Sequence, residues 1–198
     1  MNFDHEYEAN RQRWIEPDEQ VVAWLKDIPA GRALDLGSGE GGNSFWLARQ
    51  GWEVTSIDAA PSAVKFIESH SREHGYRIDA QVADVRHCLE EETYDMILLS
   101  YVHFSEEERV TLFKERYQQL AEGGVLIYLG LIKSEEELPP GGRLEEFPCS
   151  EKVVREMPAE PDLVVLEQED RNRELPIGIV EGMYQARTAA VKIGKGRS

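Results

Sequence analysis

Two cysteines, Cys88 and Cys149, in 198 residues are too few for a disulfide framework, and nothing around them has metal-ligand spacing. The chain is therefore expected to rely on core packing in a reducing compartment, with no metal. Positive charge is also scarce: 22 Lys and Arg face 38 Asp and Glu, a formal net charge of −16. No basic stripe runs through the body, so a phosphate backbone would be repelled and nucleic acid is not expected as a partner. No apolar run approaches the roughly 18 residues needed to cross a bilayer. The opening stretch Met1 to Glu8 is acidic and lacks the apolar core of a signal peptide. A cytoplasmic protein with no membrane partner is the expectation, and internal repeats and low-complexity tracts are absent.

What the chain does contain is enough apolar material, 41% of residues, for one well-formed core, so residues 1–198 read as a single domain. Strand-like runs at 32–36, 53–57, 78–82, 94–100 and 124–131 alternate with helix-like segments, the pattern of a parallel sheet covered on both faces. Asn43 to Gln50 and Pro61 to His74 carry apolar residues at helical spacing, with Gly51 and Gly75 as stops. Ser105 followed by Glu106 to Glu108 is a capped helix start, the helix reaching about Ala121 before Glu122-Gly123-Gly124 turns into the fifth strand.

The other acidic triplets, Glu90 to Glu92 and Glu135 to Glu137, read as solvated faces or first helical turns. Pro139-Pro140-Gly141-Gly142 breaks the period, and the stretch to Pro148 is expected to be a mobile loop. Ser150 to Met157 is a short helix. Leu163 to Glu167 and Tyr184 to Lys192 are two late strands with no helix between them, hence an antiparallel hairpin. Residues 1–28 are expected to be a helical lid segment broken around Pro17.

The densest signal is Ala33-Leu34-Asp35-Leu36-Gly37-Ser38-Gly39-Glu40-Gly41-Gly42, followed by a helix and then Val54-Thr55-Ser56-Ile57-Asp58. This is a strand, glycine loop, helix and strand built around an adenosine-type ligand. The glycines let the chain turn sharply and let a ligand reach the main chain. Asp58, at the tip of the second strand, is placed to accept both hydrogens of a ribose diol, unless it merely caps the helix after it.

The loop satisfies two patterns. Gly37, Gly39 and Gly42 fit a dinucleotide fingerprint, and Gly37, Gly39 and Gly41 fit the tighter spacing of S-adenosylmethionine sites. Asp35 inside the first strand, Ala83-Asp84-Val85 after the third, and a terminal hairpin with no separate substrate domain favour the second.

Over nearly its whole length the sequence resembles the class I S-adenosylmethionine-dependent methyltransferases. The resemblance rests on Leu34 to Gly41, Asp58, Ala83-Asp84-Val85, Tyr94-Asp95-Met96-Ile97-Leu98 and Leu120 to Ile127. The pair Arg13-Trp14 is similar to one in the tellurite-resistance and thiopurine-type subgroup. The resemblance implies a doubly wound, mostly parallel seven-stranded Rossmann-like α/β sheet with an antiparallel C-terminal hairpin.

It also implies a set of contacts. Gly37, Ser38, Gly39 and Gly41 would approach the cofactor, Asp35 would hold its amino group, Asp58 and Ala59 its ribose, and Asp84 and Val85 its adenine. Ser100 and the pair Arg13 and Trp14 would border it. Tyr101 and His103, after the fourth strand, are the catalytic candidates: Tyr101 as a ring facing the sulfonium, His103 as a base. The acceptor would be a small soluble molecule, with S, Se or Te nucleophiles favoured by the subgroup. A non-catalytic S-adenosylmethionine sensor or scaffold, and a nicotinamide-dependent oxidoreductase, are the competing readings. Neither the acceptor nor the oligomeric state is legible.

Overall fold

The computed structural model describes residues 15–87, 92–176 and 183–196. The chain divides into two compact units, Met1–Glu90 with Pro176–Met183, and Glu91–Leu175 with Tyr184–Ser198. Among the described residues seven strands and five α-helices give the α/β class that the alternation predicts, and no helix is long and apolar enough to cross a membrane.

The first unit holds α1 (Glu19–Leu25), β1 (Arg32–Leu36), α2 (Gly42–Arg49), β2 (Glu53–Asp58), α3 (Pro61–His74) and β3 (Ile78–Val82). Its strands lie in the order β3-β2-β1, all parallel, with Asp35 opposite Ser56, Leu36 opposite Ile57 and Asp58 opposite Val82. Ala33, Leu34, Leu36, Val54 and Ile57 are all buried, as expected of parallel strands covered on both faces. Phe45, Trp46 and Leu47 of α2 and Ala63, Val64 and Ile67 of α3 fill the core. Phe66, on the same helix, is only half-buried and meets Phe45 edge-on at 6.2 Å. Pro61 opens α3 and Gly75, at φ 71°, closes it.

The second unit holds β4 (Tyr94–Ser100), α4 (Glu106–Gln118), β5 (Leu120–Ile132), α5 (Ser150–Glu156), β6 (Leu163–Pro176) and β7 (Met183–Lys195). Its strand order is β4-β5-β7-β6. β4 and β5 are parallel, whereas β5 and β7 are antiparallel from Val125 opposite Gly194 to Ile132 opposite Arg187. Thr188 Oγ1 donates to Arg171 O at 3.4 Å and Gln185 Nε2 to Glu174 Oε1 at 2.8 Å, so the terminal hairpin is antiparallel as expected.

Boundaries differ in three places. β5 starts at Leu120, four residues before the expected 124, because Glu122-Gly123-Gly124 is a bulge inside the strand rather than a turn before it. Pairing jumps from Tyr94 with Leu120 to Met96 with Val125, and Gly123 sits at φ 79°. The late strands outrun 163–167 and 184–192, since the charged stretch Glu167 to Glu174 carries no apolar signal yet pairs through its backbone. The aperiodic loop before Pro148 contains two 3₁₀ turns, Glu135–Glu137 and Leu144–Glu146.

Candidate active site

In the first unit, the chain leaving β1 turns through Gly37, Gly39 and Gly41, at φ 73°, 54° and 84°. A Cβ at any of these would be strained in that left-handed region. The loop is fastened to the tip of β2: Gly37 N and Ser38 N both donate to Ile57 O, at 2.8 and 3.1 Å, and Ser38 Oγ reaches the same oxygen at 3.4 Å. Gly41 has a further reason to be glycine, since an added Cβ would lie 2.8 Å from Ile67 Cγ1.

Asp58 organises this bend. Its Oδ2 accepts from Gly39 N and its Oδ1 from Ala60 N, both at 2.8 Å. Each carboxylate oxygen retains a lone pair for another donor. Through Oδ1 this carboxylate steadies the chain just ahead of α3, whose N-cap is Ala60, and through Oδ2 it holds the glycine bend. Burial pushes its pKa up, against the lowering effect of those backbone donors. Ala59 beside it is exposed.

Asp35 is buried, 1% exposed. Ser44 Oγ donates to its Oδ2 at 2.6 Å, and the Ser56 hydroxyl lies 3.1 Å from Ser44 Oγ. Oδ1 is buried and meets no hydrogen-bond partner. An unpaired carboxylate oxygen costs free energy unless a donor arrives. Burial, with repulsion from Asp58, pushes the pKa of Asp35 up to about 6 despite the Ser44 hydrogen bond. A side-chain-free bend with an unsatisfied acid beneath it suits a ligand that carries an ammonium group.

At the tip of β3, Ala83 N donates to Asp58 O at 3.0 Å, which holds Asp84 next to Asp58 in the sheet order. Asp84 is exposed, and its Oδ1 accepts from Arg86 N at 3.0 Å and Arg86 Nε at 3.1 Å. It starts the turn that contains Arg86 and leaves Oδ2 available to a ligand, though His87 Nδ1 stands 3.8 Å away. Val85 is buried. The structure therefore gathers Asp35, Gly37, Ser38, Gly39, Gly41, Asp58, Ala59 and Asp84 along three adjacent strand tips. Arg13, Trp14 and Cys88 lie outside the described residues.

Ser100, Tyr101 and His103 belong to the second unit. Ser100 ends β4 and is half-buried. Tyr101 follows at φ 58°, the one non-glycine residue at positive φ among those described. Such backbone strain persists where the surroundings over-determine it. Tyr101 N donates to Leu129 O at 2.8 Å, and its hydroxyl accepts from Arg173 Nη1 at 3.0 Å. The His103 ring lies 4.7 Å from that of Phe147. Solvent still reaches part of this ring, but partial burial and Lys133 lower its pKa and outweigh Glu146. Ser105 caps α4 as expected, forming a capping box with Glu108, so His103 has no part in that cap. Cys149 stands at the N-cap of α5 as a free thiol.

Sequence reasoning missed Ser44 and Ser56. Their signal was small polar residues at positions that periodicity assigns to the core, directly beside an acid in a strand. It also missed Arg109 and Glu156, a buried ion pair described below.

Residues 33–124 match the family model described as a methyltransferase domain. The probable S-adenosyl-L-methionine-dependent methyltransferase TehB of Haemophilus influenzae is 28% identical over 118 residues, covering 59% of this chain and 41% of TehB. The chain thus matches less than half the length of that relative. The crystal structure of TehB from the same organism superposes with a TM-score of 0.74 at 22% identity, over 90% of this chain and 62% of that one. The N-methyltransferase NodS from Bradyrhizobium japonicum, solved with S-adenosyl-l-homocysteine, gives a TM-score of 0.73 at 16% identity, over 98% and 99%.

The fold is the Rossmann-like methyltransferase fold. Residues 33–124, just under half of the chain, resemble a methyltransferase domain, and TehB is among the chain's relatives.

Proposed function

We propose that this chain transfers a methyl group from S-adenosylmethionine to a small soluble acceptor, and that residues 1–198 act as one methyltransferase domain with residues 1–28 as its lid. The observation that carries the reading is Asp35: a buried carboxylate with one oxygen unpaired, under a glycine bend, beside a second acid already oriented by two backbone donors. Asp35 would accept the cofactor's ammonium group, Asp58 its ribose hydroxyls and Asp84 its adenine amine. Bound in that position, the sulfonium supplies an activated methyl group. The protein's part is then to orient the acceptor and exclude water, worth up to about 7–11 kcal/mol in favourable cases.

For an acceptor that must lose a proton, His103 is the proposed base, since its lowered pKa leaves the ring neutral and able to accept near pH 7. Tyr101, with its hydroxyl held by Arg173, is the proposed ring beside the methyl group. A soft S, Se or Te nucleophile is the proposed acceptor class, on the subgroup resemblance of Arg13 and Trp14. The formal charge of −16 supports a small acceptor over nucleic acid, and the cysteine content supports a cytoplasmic setting.

Calorimetry with S-adenosylhomocysteine and with NAD tests the cofactor: tight binding of NAD alone would overturn the reading. A screen of thiol, selenite, tellurite, amine and hydroxyl acceptors with labelled methyl donor tests the chemistry. Cofactor binding without turnover on any of them would favour a sensor or scaffold.

A further inference from the structure

The last turn of α3 carries a cluster that the cradle does not use. His70, Glu73 and His74 each offer a ligand atom, and these atoms lie within 4.8 Å of one another. Positions i, i+3 and i+4 of a helix share one face, so the convergence follows from the sequence His-Ser-Arg-Glu-His, although the cysteine-based reading expected no metal. We propose that His70, Glu73 and His74 form a binding site for one divalent transition-metal ion of the zinc or nickel class.

Three features prepare the site. His74 Nδ1 lies 2.9 Å from His70 O; because a carbonyl only accepts, Nδ1 carries the proton and Nε2 keeps the lone pair. Metal-binding imidazoles are oriented by such hydrogen bonds from the other ring nitrogen. Aromatic neighbours hold both rings: Phe45 is 4.4 Å and Phe66 5.6 Å from His70, and Tyr76 stacks on His74 at 5.5 Å. The cluster also ends a 14-residue helix, where the terminal carbonyls favour a cation. Two imidazoles and a carboxylate suit zinc, and nickel by its affinity for imidazole, while magnesium prefers an all-oxygen shell. With three protein ligands the remaining position goes to water. Arg49 lies near enough to act on His70 and opposes the cation, and Glu73 offsets it.

The ion would clip the last turn of α3 and fix the His70 ring against Phe45, whose Cζ lies 3.1 Å from where a Cβ on Gly41 would sit. The site therefore adjoins the floor of the glycine bend without entering it.

Calorimetry of the full chain with Zn²⁺ should give one ion per chain. His74→Asn should weaken binding at least tenfold and Glu73→Gln several-fold. Both residues are solvent-exposed, so these variants keep the fold. In long-range ¹H–¹⁵N spectra, Zn²⁺ should shift His70 and His74 together and leave His87 and His103 in place. Binding of Zn²⁺ by His70→Asn/His74→Asn at the wild-type affinity would overturn the proposal. So would movement of His87 or His103 in place of this pair, or no saturable binding at all. Mg²⁺ should not compete; if it displaces Zn²⁺ at equal concentration, the imidazoles are not the ligands.

Discussion

Arg109 grips Glu156 with two parallel hydrogen bonds, Nε to Oε2 at 2.5 Å and Nη2 to Oε1 at 2.8 Å, with the two side chains 0% and 5% exposed. The remaining arm, Nη1, donates to Phe104 O at 2.8 Å and Glu145 O at 2.9 Å. One guanidinium thus ties the loop after β4, the 3₁₀ turn before α5, and α5 itself. Those are the segments that place His103 against Phe147.

Removing one partner strands a buried charge. Glu156→Ala should cost about 3–5 kcal/mol in denaturant unfolding. Replacing both partners with apolar residues, Arg109→Met with Glu156→Leu, should cost less than the single change. A double variant no more stable than Glu156→Ala would show that the pair matters for more than charge compensation.

Asp35 gives stability and binding opposite dependences. Its pKa is 3.8 in an ordinary setting and about 6 here, so the folded chain holds an extra proton between those values. The stabilisation is complete below about pH 4 and lost as pH rises through about 6, amounting to about 3 kcal/mol. Asp35→Asn should flatten this segment of the unfolding free energy against pH and be no less stable than wild type at pH 7. Its affinity for S-adenosylhomocysteine should nevertheless fall tenfold or more. Unchanged affinity would remove Asp35 from the site.

Asp58 should behave differently, because its carboxylate also holds Gly39 N and Ala60 N. Asp58→Ala should abolish measurable cofactor binding and cost about 1–3 kcal/mol in stability. Asp58→Asn keeps an acceptor for one amide and should recover part of the stability without the affinity. Calorimetry and thermal melting on the two variants separate the effects.

For His103 the readout is a pH profile. With its pKa below the usual 6.5, wild-type turnover should hold a plateau at pH 7 and fall on the acid side of 6.5. His103→Gln should lower the rate about 10²-fold or more and erase that limb. A full rate with the limb intact would end the catalytic assignment.

Much of the fold was legible because parallel strands buried on both faces give continuous apolar runs. β3, β4 and α3 have the bounds that their runs suggested, and Gly75 closes its helix as its position implied. β6 was illegible beyond Glu167, since alternating charges hide a strand whose pairing is made by the backbone. The bulge at Gly123 was read as a turn because a glycine pair signals both. The glycine bend and its acids were visible through spacing, whereas Ser44 and Ser56 act only through the three-dimensional neighbourhood of Asp35. Likewise Arg109 stands 47 residues from Glu156, a separation that no local pattern reports.

Gly42 turns a structural contact into a gauge. An added Cβ there would collide with the carbonyl oxygen of Glu16, and Asp18 N donates to Asn43 Oδ1 at 2.8 Å alongside. Any side chain at position 42 can be housed only by lifting the stretch around Glu16 off the start of α2. The range of residues tolerated at that position therefore measures how firmly the leading segment is seated, and a graded series from alanine to valine would serve as a wedge of adjustable width.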